Sequence, residues 1–465
     1  MKPSKRFTHL HFIGIGGAGM CVLAEVLASW GFGISGSDSQ DSAALVHLKG
    51  LGLRVEIGHR ADNLGDADAV VYSSAVPQDN PELAAARLRG IPTVKRARML
   101  GEALLGKYPL AVSGTHGKTT TTTMLGRIWL RAGKEPTLLA GGTARGENLS
   151  AVAGKGDAVI VEADEFDRSF LALRPASAII GNIDSDHLDC YGTVEAVRDA
   201  FVEFTEGMPF YGLIVANRDD DGVRAVLPRL QRRTVTYGQT AEADYRAAGI
   251  RTDGHGMIFS LERQGEKLGD ITLKVPGIHN VYNALGAAAL SLEEGLSFKD
   301  VERGLREYPG VHRRLEYRGE KGGVVFYDDY AHHPTEVAAT LHAARGLTTA
   351  RPGEPGRLIA VFQPHLYSRT QQLHREFARA FAACDELFVT RVYAAREQAI
   401  PGVEGDLIAA GARNGVLPAD RVHYVEDLDA LPAQVVSRLK AGDLVLTMGA
   451  GDINVRCARI MEAWA

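Results

Sequence analysis

Cysteine is scarce in this chain, and long apolar runs are missing from it. The 465 residues include only Cys21, Cys190, Cys384 and Cys457, which form no C-x-x-C pair. Scattered thiols favour a reducing cytoplasm over a disulfide framework. The first residues pass from a few charges directly into a predicted short strand, so we expect neither a signal peptide nor a membrane span. We therefore expect a cytoplasmic protein.

An excess of positive charge is also missing. The formal net charge is -5 at pH 7, so the sequence provides no broad basic surface for nucleic acid. The composition is otherwise that of an ordinary globular protein, and the length predicts about three domains. We expect small-molecule substrates, no nucleic-acid or membrane partner, and a monomer or a homodimer.

The stretch LAVSGTHGKTTTTT at 110–123 has the features of a phosphate-binding turn. Its apolar run predicts a buried strand, its glycines a turn, and the threonine run a helix whose N-terminus faces an anion. A lysine adds positive charge, and a threonine hydroxyl can bind Mg²⁺. The strict phosphate-loop pattern requires glycine where Val112 stands, so an ordinary glycine turn is the alternative. The predicted nucleotide-binding residues are Gly114, Thr115, His116, Gly117, Lys118, Thr119 and Thr120.

A second glycine motif, G-x-G-x-x-G at 14–19, follows the first predicted strand. Its glycines let the backbone approach a diphosphate at a helix N-terminus, and an acid about twenty positions later can reach a ribose or base. NAD, FAD and UDP-sugars all carry such a diphosphate. Two serines end a later strand, where they could bind ligand or cap a helix. The predicted diphosphate-site residues are Gly14, Gly16, Gly17, Gly19, Ser37, Asp38, Ser73 and Ser74.

Acids and a histidine follow two further predicted strands. Glu162 is the first acid after the apolar run 158–161, and a carboxylate at the tip of such a strand commonly holds Mg²⁺ in nucleotide enzymes. A solvated acidic loop is the alternative. His187 follows the next strand and is expected at the same sheet edge, unless it is only a capped loop residue. We predict Thr119, Glu162 and His187 as metal ligands.

The segment 230–275 has short alternating runs between glycines, which predict antiparallel strands or a small β-subdomain. A helix follows, with His279, Asn280 and Asn283 in its first turn. Base or ribose recognition is one interpretation of these residues, and Asn280 as a helix N-cap is the other.

A further α/β segment begins near the paired Arg313 and Arg314. Two arginines at a domain boundary could clamp phosphates, although such pairs are also ordinary surface charges. Polar residues again follow the predicted strands, so we expect a second doubly wound sheet that binds a ligand at its carboxyl edge. The candidate residues at this edge are Asp328, Tyr330, His332, His365 and Arg369.

Taken in order, the motifs resemble those of the Mur ligases. The resemblance rests on G-I-G-G-A-G-M (14–20), G-T-H-G-K-T-T-T (114–121), E-A-D-E-x-D-x-S-F (162–170), G-N-I-D-S-D-H-L-D (181–189), H-N-V-Y-N-A (279–284), R-R (313–314), D-D-Y-A-H-H-P-T-E (328–336), F-Q-P-H-L-Y-S-R-T (362–370) and G-A-G-D-I (449–453). It covers nearly the whole chain and implies an α/β protein with three domains. These are a Rossmann-like UDP-sugar-binding domain (1–107), a central P-loop-type ATPase domain with a mixed sheet (108–312) and a C-terminal Rossmann-like amino-acid-binding domain (313–465).

Within the family, the motifs are similar to those of the branch that joins L-alanine to the carboxylate of UDP-N-acetylmuramate for peptidoglycan. The resemblance implies an acyl phosphate made from ATP, with a pair of Mg²⁺ ions or Mn²⁺ in their place. No lysine lies between Lys155 and Lys267, so the carbamylated lysine of several relatives is missing. The implied roles are ATP binding for His279, Asn280, Asn283, Arg313, Arg314 and Asp328, amino-acid binding for Tyr330, His332, His365 and Arg369, and catalysis for Lys118, His187, Arg314 and His332.

Three other functions compete with this interpretation. A nicotinamide dehydrogenase would use the first glycine motif but not the turn at 114–120. A non-catalytic nucleotide switch would leave the polar residues of the last segment without a role. A ligase that attaches a ready-made peptide to the same UDP-sugar is the nearest alternative. The base for the attacking amine is also open, since either His332 or solvent could serve.

Overall fold

The computed structural model describes residues 7–142, 151–184, 188–348, 356–395 and 397–464. Three sheets follow one another along the chain, with helices in the connections between their strands, which confirms the predicted α/β class. Within these ranges, no helix is both long enough and apolar enough to cross a bilayer.

The first sheet has five parallel strands in the order β3-β2-β1-β4-β5. Strand β1 pairs with both β2 and β4, so the strand order reverses at its carboxyl end, where open α/β sheets bind ligands. The glycine motif at 14–19 leaves the sheet at this point. The elements are β1 (His9–Ile13), α1 (Ala18–Ser29), β2 (Gly33–Asp38), α2 (Ala43–Gly50), β3 (Arg54–Ile57), β4 (Ala69–Tyr72), α3 (Pro81–Leu88), β5 (Thr93–Lys95) and α4 (Arg96–Ala103).

The central sheet has ten strands in the order β15-β14-β13-β12-β11-β10-β6-β9-β7-β8. Its elements are β6 (Tyr108–Ser113), α5 (Lys118–Arg131), β7 (Thr137–Leu139), β8 (Ala151–Val152), β9 (Ala158–Ala163), β10 (Ser177–Ile180), α6 (Leu188–Tyr191), α7 (Val194–Glu206), β11 (Leu213–Asn217), α8 (Asp221–Val226), β12 (Arg233–Gly238), β13 (Tyr245–Asp253), β14 (Gly256–Arg263), β15 (Glu266–Leu273), α9 (Ile278–Glu293) and α10 (Phe298–Arg306).

Strand β6 delivers the phosphate turn to the middle of this sheet. It pairs in parallel with β9 and β10, and Ser113 lies opposite both Ala163 and Ile180. The polar residues after the three strands therefore share one edge, as predicted. The segment 230–275 extends the sheet instead of forming a separate subdomain, because β11 offers a free edge with which β12 pairs in parallel.

The C-terminal sheet has six strands in the order β16-β17-β21-β18-β19-β20, and only β16 runs antiparallel to its neighbour. Strand β18 is buried along its whole length, as expected for a parallel strand covered on both faces. The elements are β16 (Glu316–Lys321), β17 (Val324–Asp329), α11 (Pro334–Arg345), β18 (Leu358–Phe362), α12 (Tyr367–Ala380), β19 (Glu386–Thr390), α13 (Asp406–Arg413), β20 (Val422–Val425), α14 (Leu431–Val436), β21 (Leu444–Met448) and α15 (Ile453–Ala463).

The chain packs as two compact units. The first takes in 1–249, 259–272 and 282–308, and the second takes in 250–258, 273–281 and 309–465. The first sheet and most of the central sheet thus lie in one unit, and the predicted boundary at 107/108 lies inside it. The assignment of three functions to three segments stays a prediction.

Candidate active site

Asn182 holds the phosphate turn in shape. The backbone N–H of Thr115 donates to the Asn182 carbonyl (3.1 Å), and that of His116 donates to Asn182 Oδ1 (2.7 Å). Gly117 has φ +77°, and a Cβ there would lie 2.6 Å from Asn283 Oδ1. Gly117 caps α5 and makes no side-chain hydrogen bond to the first-turn N–H groups. Those groups can therefore meet an anion.

Lys118 lies folded onto this turn. Its Nζ donates to the carbonyls of Gly114 (2.8 Å) and Thr115 (3.1 Å) and to Glu165 Oε2 (2.7 Å). Burial lowers the pKa of Lys118, but the carboxylates of Glu165 and Asp164 outweigh burial and raise the pKa above its ordinary value. The ammonium group is therefore charged at neutral pH.

Glu162 provides a buried carboxylate beside the turn. It lies in β9 opposite Val112 of β6, and it accepts hydrogen bonds from the Gly141 backbone and the Thr119 hydroxyl. Burial raises the pKa of Glu162 above its ordinary value. Its Oε1 is buried and has no hydrogen-bond partner within the part of the chain that the structure describes. A divalent cation would satisfy this oxygen, so Glu162 and Thr119 fit the predicted metal site.

A cleft of about 300 Å³ joins Glu162 to the first glycine motif. Gly17 caps α1 without a side-chain bond, and no acid lies in the first turn of this helix. The guanidinium of Arg96 lies 3.0 Å from the position that a Cβ on Gly19 would take. One end of the cleft is therefore positive and the other carries the Glu162 carboxylate. Its polar lining includes Ser73, Arg96, Glu162 and Asp164.

Ser37 and Asp38 hold the first glycine turn. Gly14 N donates to the Ser37 carbonyl (2.8 Å), and Gly16 N donates to Asp38 Oδ2 (2.9 Å). The Ser37 hydroxyl is buried and donates to Glu82 Oε2 (2.6 Å). Both residues thus shape the turn, and their contact with a ribose or base stays a prediction.

The two serines after β4 differ in their surroundings. Ser73 lines the cleft. The Ser74 hydroxyl donates to Asp167 Oδ2 (3.0 Å), which also lies 3.4 Å from Lys95 Nζ. The helix-cap alternative is wrong for both, because α3 is capped by the side chain of Asn80.

Arg313 is bound to its own unit. Its Nε donates to Asp328 Oδ2 (3.2 Å), and its terminal N–H groups donate to the carbonyls of Gly449 (2.5 Å) and Gly451 (3.1 Å). These contacts occupy the guanidinium and the Asp328 carboxylate, so both residues shape the turn after β21. Their binding of ATP stays a prediction.

Arg314 has looser contacts than its neighbour. Its guanidinium lies over the Tyr330 ring at 5.5 Å and 3.6 Å from Glu336 Oε1. In the same unit, burial and the charge of Arg314 lower the pKa of His279 to about 4. His279 is therefore neutral at physiological pH.

The N-cap interpretation of Asn280 is wrong. Helix α9 begins at Ile278, so Asn280 lies inside its first turn, and Asn280 Nδ2 donates to the Pro276 carbonyl (2.7 Å). Asn283 lies beside Gly117 of the phosphate turn, as a nucleotide-binding role would require.

His332 is prepared to accept a proton. Its Nδ1 lies 3.0 Å from the Tyr330 carbonyl, which can only accept, so we assign the ring proton to Nδ1 and a free lone pair to Nε2. Burial lowers the pKa of His332, although the Glu336 carboxylate opposes this shift. The imidazole is therefore neutral near pH 7.

Arg369 and His365 each have a buried nitrogen atom that could bind a ligand. Arg369 Nη1 and His365 Nδ1 have no hydrogen-bond partner within the described ranges. His365 stacks on Tyr393, and its pKa falls to about 4, mainly because of burial, with smaller contributions from the neighbouring His332 and the charge of Arg369. The His332 and His365 rings lie 5.8 Å apart. An unpaired guanidinium N–H beside neutral rings suits a small carboxylate.

Comparisons with known proteins show the family of the chain. Three family models match in order: the Mur ligase family catalytic domain at 9–108, the Mur ligase middle domain at 112–291 and the Mur ligase glutamate ligase domain at 313–451. Curated UDP-N-acetylmuramate–L-alanine ligases of Sorangium cellulosum and Solidesulfovibrio magneticus are 45% and 46% identical, over 98% of this chain and 96% and 98% of theirs. The chain belongs to the Mur ligase family.

Solved structures support the same conclusion for this Mur ligase. It is similar to the UDP-N-acetylmuramate–alanine ligase of Thermotoga maritima, with a TM-score of 0.82 and 30% identity over 98% of both chains. A murein peptide ligase of Psychrobacter arcticus matches with a TM-score of 0.71 and 25% identity, again over 98% of both chains. The chain is therefore an ATP-dependent ligase, and the dehydrogenase and nucleotide-switch alternatives are excluded.

The Mur ligase motifs did not reveal the roles of Asn182, Arg96 or Glu165. Asn182 contacts the turn across 66 residues of sequence, and Glu165 reaches Lys118 across 47. Arg96 is one charge in the basic run KRAR, and only the packing of α4 brings it beside Gly19. His187 lies outside the described residues, so its role as metal ligand and catalytic group stays a prediction.

Proposed function

We propose that this chain joins L-alanine to the carboxylate of UDP-N-acetylmuramate, with ATP as phosphoryl donor, in cytoplasmic peptidoglycan precursor synthesis. The observation that carries the proposal is Glu162 Oε1, which is buried and has no hydrogen-bond partner among the described residues, on a side chain that lines the same cleft as the first glycine turn. A diphosphate at Gly14–Gly19 would direct the rest of the UDP-sugar toward this carboxylate and toward ATP. The 45% and 46% identical relatives are named UDP-N-acetylmuramate–L-alanine ligases, which supports the same substrates.

The first chemical step makes a poor electrophile reactive. An oxygen of the lactyl carboxylate attacks the γ-phosphorus of ATP, and the bond between this phosphorus and the β-phosphate oxygen breaks. The products are an acyl phosphate and ADP. Because two anions approach each other, cations must surround the transferred group. Lys118 and Arg314 provide positive charge in this proposal. Thr119 and Glu162 would hold one Mg²⁺, or Mn²⁺ in its place, and Glu162 with His187 a second, and these ions offset the phosphate charge.

The second step forms the amide bond. Arg369 and His365 bind the alanine carboxylate, and Tyr330 lies beside His332. The amine must lose a proton before it attacks the acyl carbon, and His332 Nε2 can accept that proton. The tetrahedral intermediate then expels inorganic phosphate. The free lone pair on His332 favours this residue over solvent as the base.

One assay tests the proposal. Phosphate release is measured with ATP, Mg²⁺ and UDP-N-acetylmuramate against L-alanine, L-serine, glycine and a peptide of the murein type. We expect release with L-alanine and little with the peptide, in keeping with the higher TM-score and identity to the T. maritima alanine ligase than to the murein peptide ligase. Release with the peptide alone would reassign the chain to the peptide-adding ligases.

Replacing Arg96 should weaken the binding of the UDP-sugar. Arg96→Ala removes the cation beside the α1 N-terminus, and loss of a charge-assisted hydrogen bond should raise the KM for the UDP-sugar about 10- to 100-fold. The KM for alanine should not change. Arg98→Ala is the control, because Arg98 lies exposed on the same helix. If Arg96→Ala lowered kcat and left the KM for the UDP-sugar unchanged, Arg96 would not be a diphosphate-binding residue.

Replacing Arg369 should weaken the binding of the amino acid. Arg369→Ala removes the unpaired guanidinium N–H, and we expect the KM for alanine to rise about 100-fold with the KM for ATP unchanged. Arg375→Ala, on an exposed position of the same helix, serves as the control. An effect on ATP alone would assign Arg369 to the nucleotide.

A further inference from the structure

The amino group of Lys118 has no hydrogen left for a ligand. Its three N–H bonds are directed to the Gly114 carbonyl (2.8 Å), the Thr115 carbonyl (3.1 Å) and Glu165 Oε2 (2.7 Å). An ammonium group has three donors and no acceptor. A phosphate oxygen that binds Lys118 must therefore replace at least one of these partners.

Glu165 is the only anion among the three partners. The two carbonyls belong to the turn itself, so releasing them would require the turn to change shape. The Glu165 carboxylate ends a side chain with rotatable bonds, and Asp164 is farther away, at 3.8 Å from Nζ. If a phosphate oxygen replaces the Glu165 carboxylate, one anion takes the place of another and the charge next to Lys118 is conserved. If it replaces a neutral carbonyl, a negative charge is added. Glu165 is therefore the partner that an incoming phosphate replaces.

The surroundings of Glu165 show that its position is built into the fold. The residue is only 1% exposed. Its carbonyl accepts hydrogen bonds from the Tyr191 hydroxyl (2.6 Å) and the Arg168 N–H (3.0 Å), which fix the backbone at this residue. The Glu165 carboxylate therefore offsets the charge of Lys118 before a nucleotide arrives, and Asp164 is a second carboxylate that raises the pKa of this lysine.

We propose that Glu165 is the resting counter-ion of Lys118 and that ATP binding exchanges it for a phosphate oxygen of the nucleotide. Glu165 is thus a positioning residue that acts through Lys118 and competes with ATP within the same chain. This inference rests on the proposed function, since it takes the ligand of the turn to be a nucleoside triphosphate. Its consequence is unusual for a buried residue of an active site: its neutral variant binds ATP more tightly than the wild type does.

Calorimetric titration with a non-hydrolysable ATP analogue tests the exchange, with and without Mg²⁺ and in the absence of UDP-sugar and alanine. Glu165→Gln keeps the shape of the side chain and removes its charge. We expect Kd to fall about tenfold in both conditions, because the analogue no longer displaces a charge-assisted bond. Glu206→Gln, at an exposed position of α7, should leave Kd unchanged.

Two further measurements keep the test decisive. The nucleotide-free Glu165→Gln protein should melt at a lower temperature than the wild type, and the analogue should raise its melting temperature by more. If this variant does not fold, Glu165→Asp shortens the side chain, and we expect it to tighten binding by a smaller factor. Unchanged affinity would overturn the exchange, as would weaker affinity with a greater Mg²⁺ requirement, which would make Glu165 a metal ligand. These measurements contain neither UDP-sugar nor alanine. They therefore test the exchange at Lys118 even if the ligation assay shows that the proposed substrates are wrong.

Discussion

Lys118→Ala should lower the rate of ATP-dependent phosphate release by about 10³-fold, the scale expected when a preorganised charge is removed from a transition state. The side chain is charged, only 15% exposed and anchored on the turn carbonyls, so it lies where a transferred phosphoryl group would need it. Binding of UDP-N-acetylmuramate should not change, because Arg96 and the α1 N-terminus lie at the other glycine motif. Phosphate release and sugar titration, measured on the same preparation, separate the two effects.

The matched control for this variant is Lys134→Ala. Lys134 is exposed just beyond the end of the same helix, α5, and its loss should leave turnover unchanged. Because Lys118→Ala leaves Glu165 buried without its cation, its melting temperature must be compared with that of the wild type. A folded Lys118→Ala protein with wild-type turnover would remove the turn from the catalytic site.

Glu162→Gln should reduce kcat by at least about 10²-fold and raise the Mg²⁺ concentration needed for half-maximal rate. The amide is nearly the same size as the carboxylate, so the bonds from Gly141 and Thr119 can persist while the charge that would bind the cation is lost. The measurement is a Mg²⁺ titration of phosphate release at saturating ATP and UDP-sugar.

Asp157→Asn is the control for the metal site. Asp157 is exposed at the amino end of β9, whereas Glu162 lies near its carboxyl end, so the same chemical change is made at opposite ends of one strand. We expect no change in Mg²⁺ dependence for Asp157→Asn. If Glu162→Gln kept an ordinary Mg²⁺ titration, Glu162 could not be a ligand.

The strand ends could be predicted because buried parallel strands form apolar runs that stop at polar residues. This logic correctly placed the turn at 114–120 and Glu162 at one edge of the central sheet. The N-cap prediction for Asn280 failed because the helix starts earlier, and local propensity does not decide such boundaries to within one or two residues.

The hydrogen-bond partners of the predicted site residues could not be predicted from the sequence in the same way. Arg313 resembled a phosphate-binding group in sequence, yet it donates to carbonyls 136 and 138 residues away. Ser37 looked accessible at a strand end, but its hydroxyl is directed to the buried Glu82. Sequence patterns identify residues that can bind a ligand, and only tertiary packing shows which of them are already bound to the protein.

The hydrogen bonds of Asn182 to Thr115 and His116 have a consequence for the speed of nucleotide capture. A loop whose conformation is fixed before the ligand arrives loses little entropy on association. Nucleotide should consequently associate in one rapid phase whose rate rises linearly with its concentration, without the plateau that a slow loop rearrangement would impose.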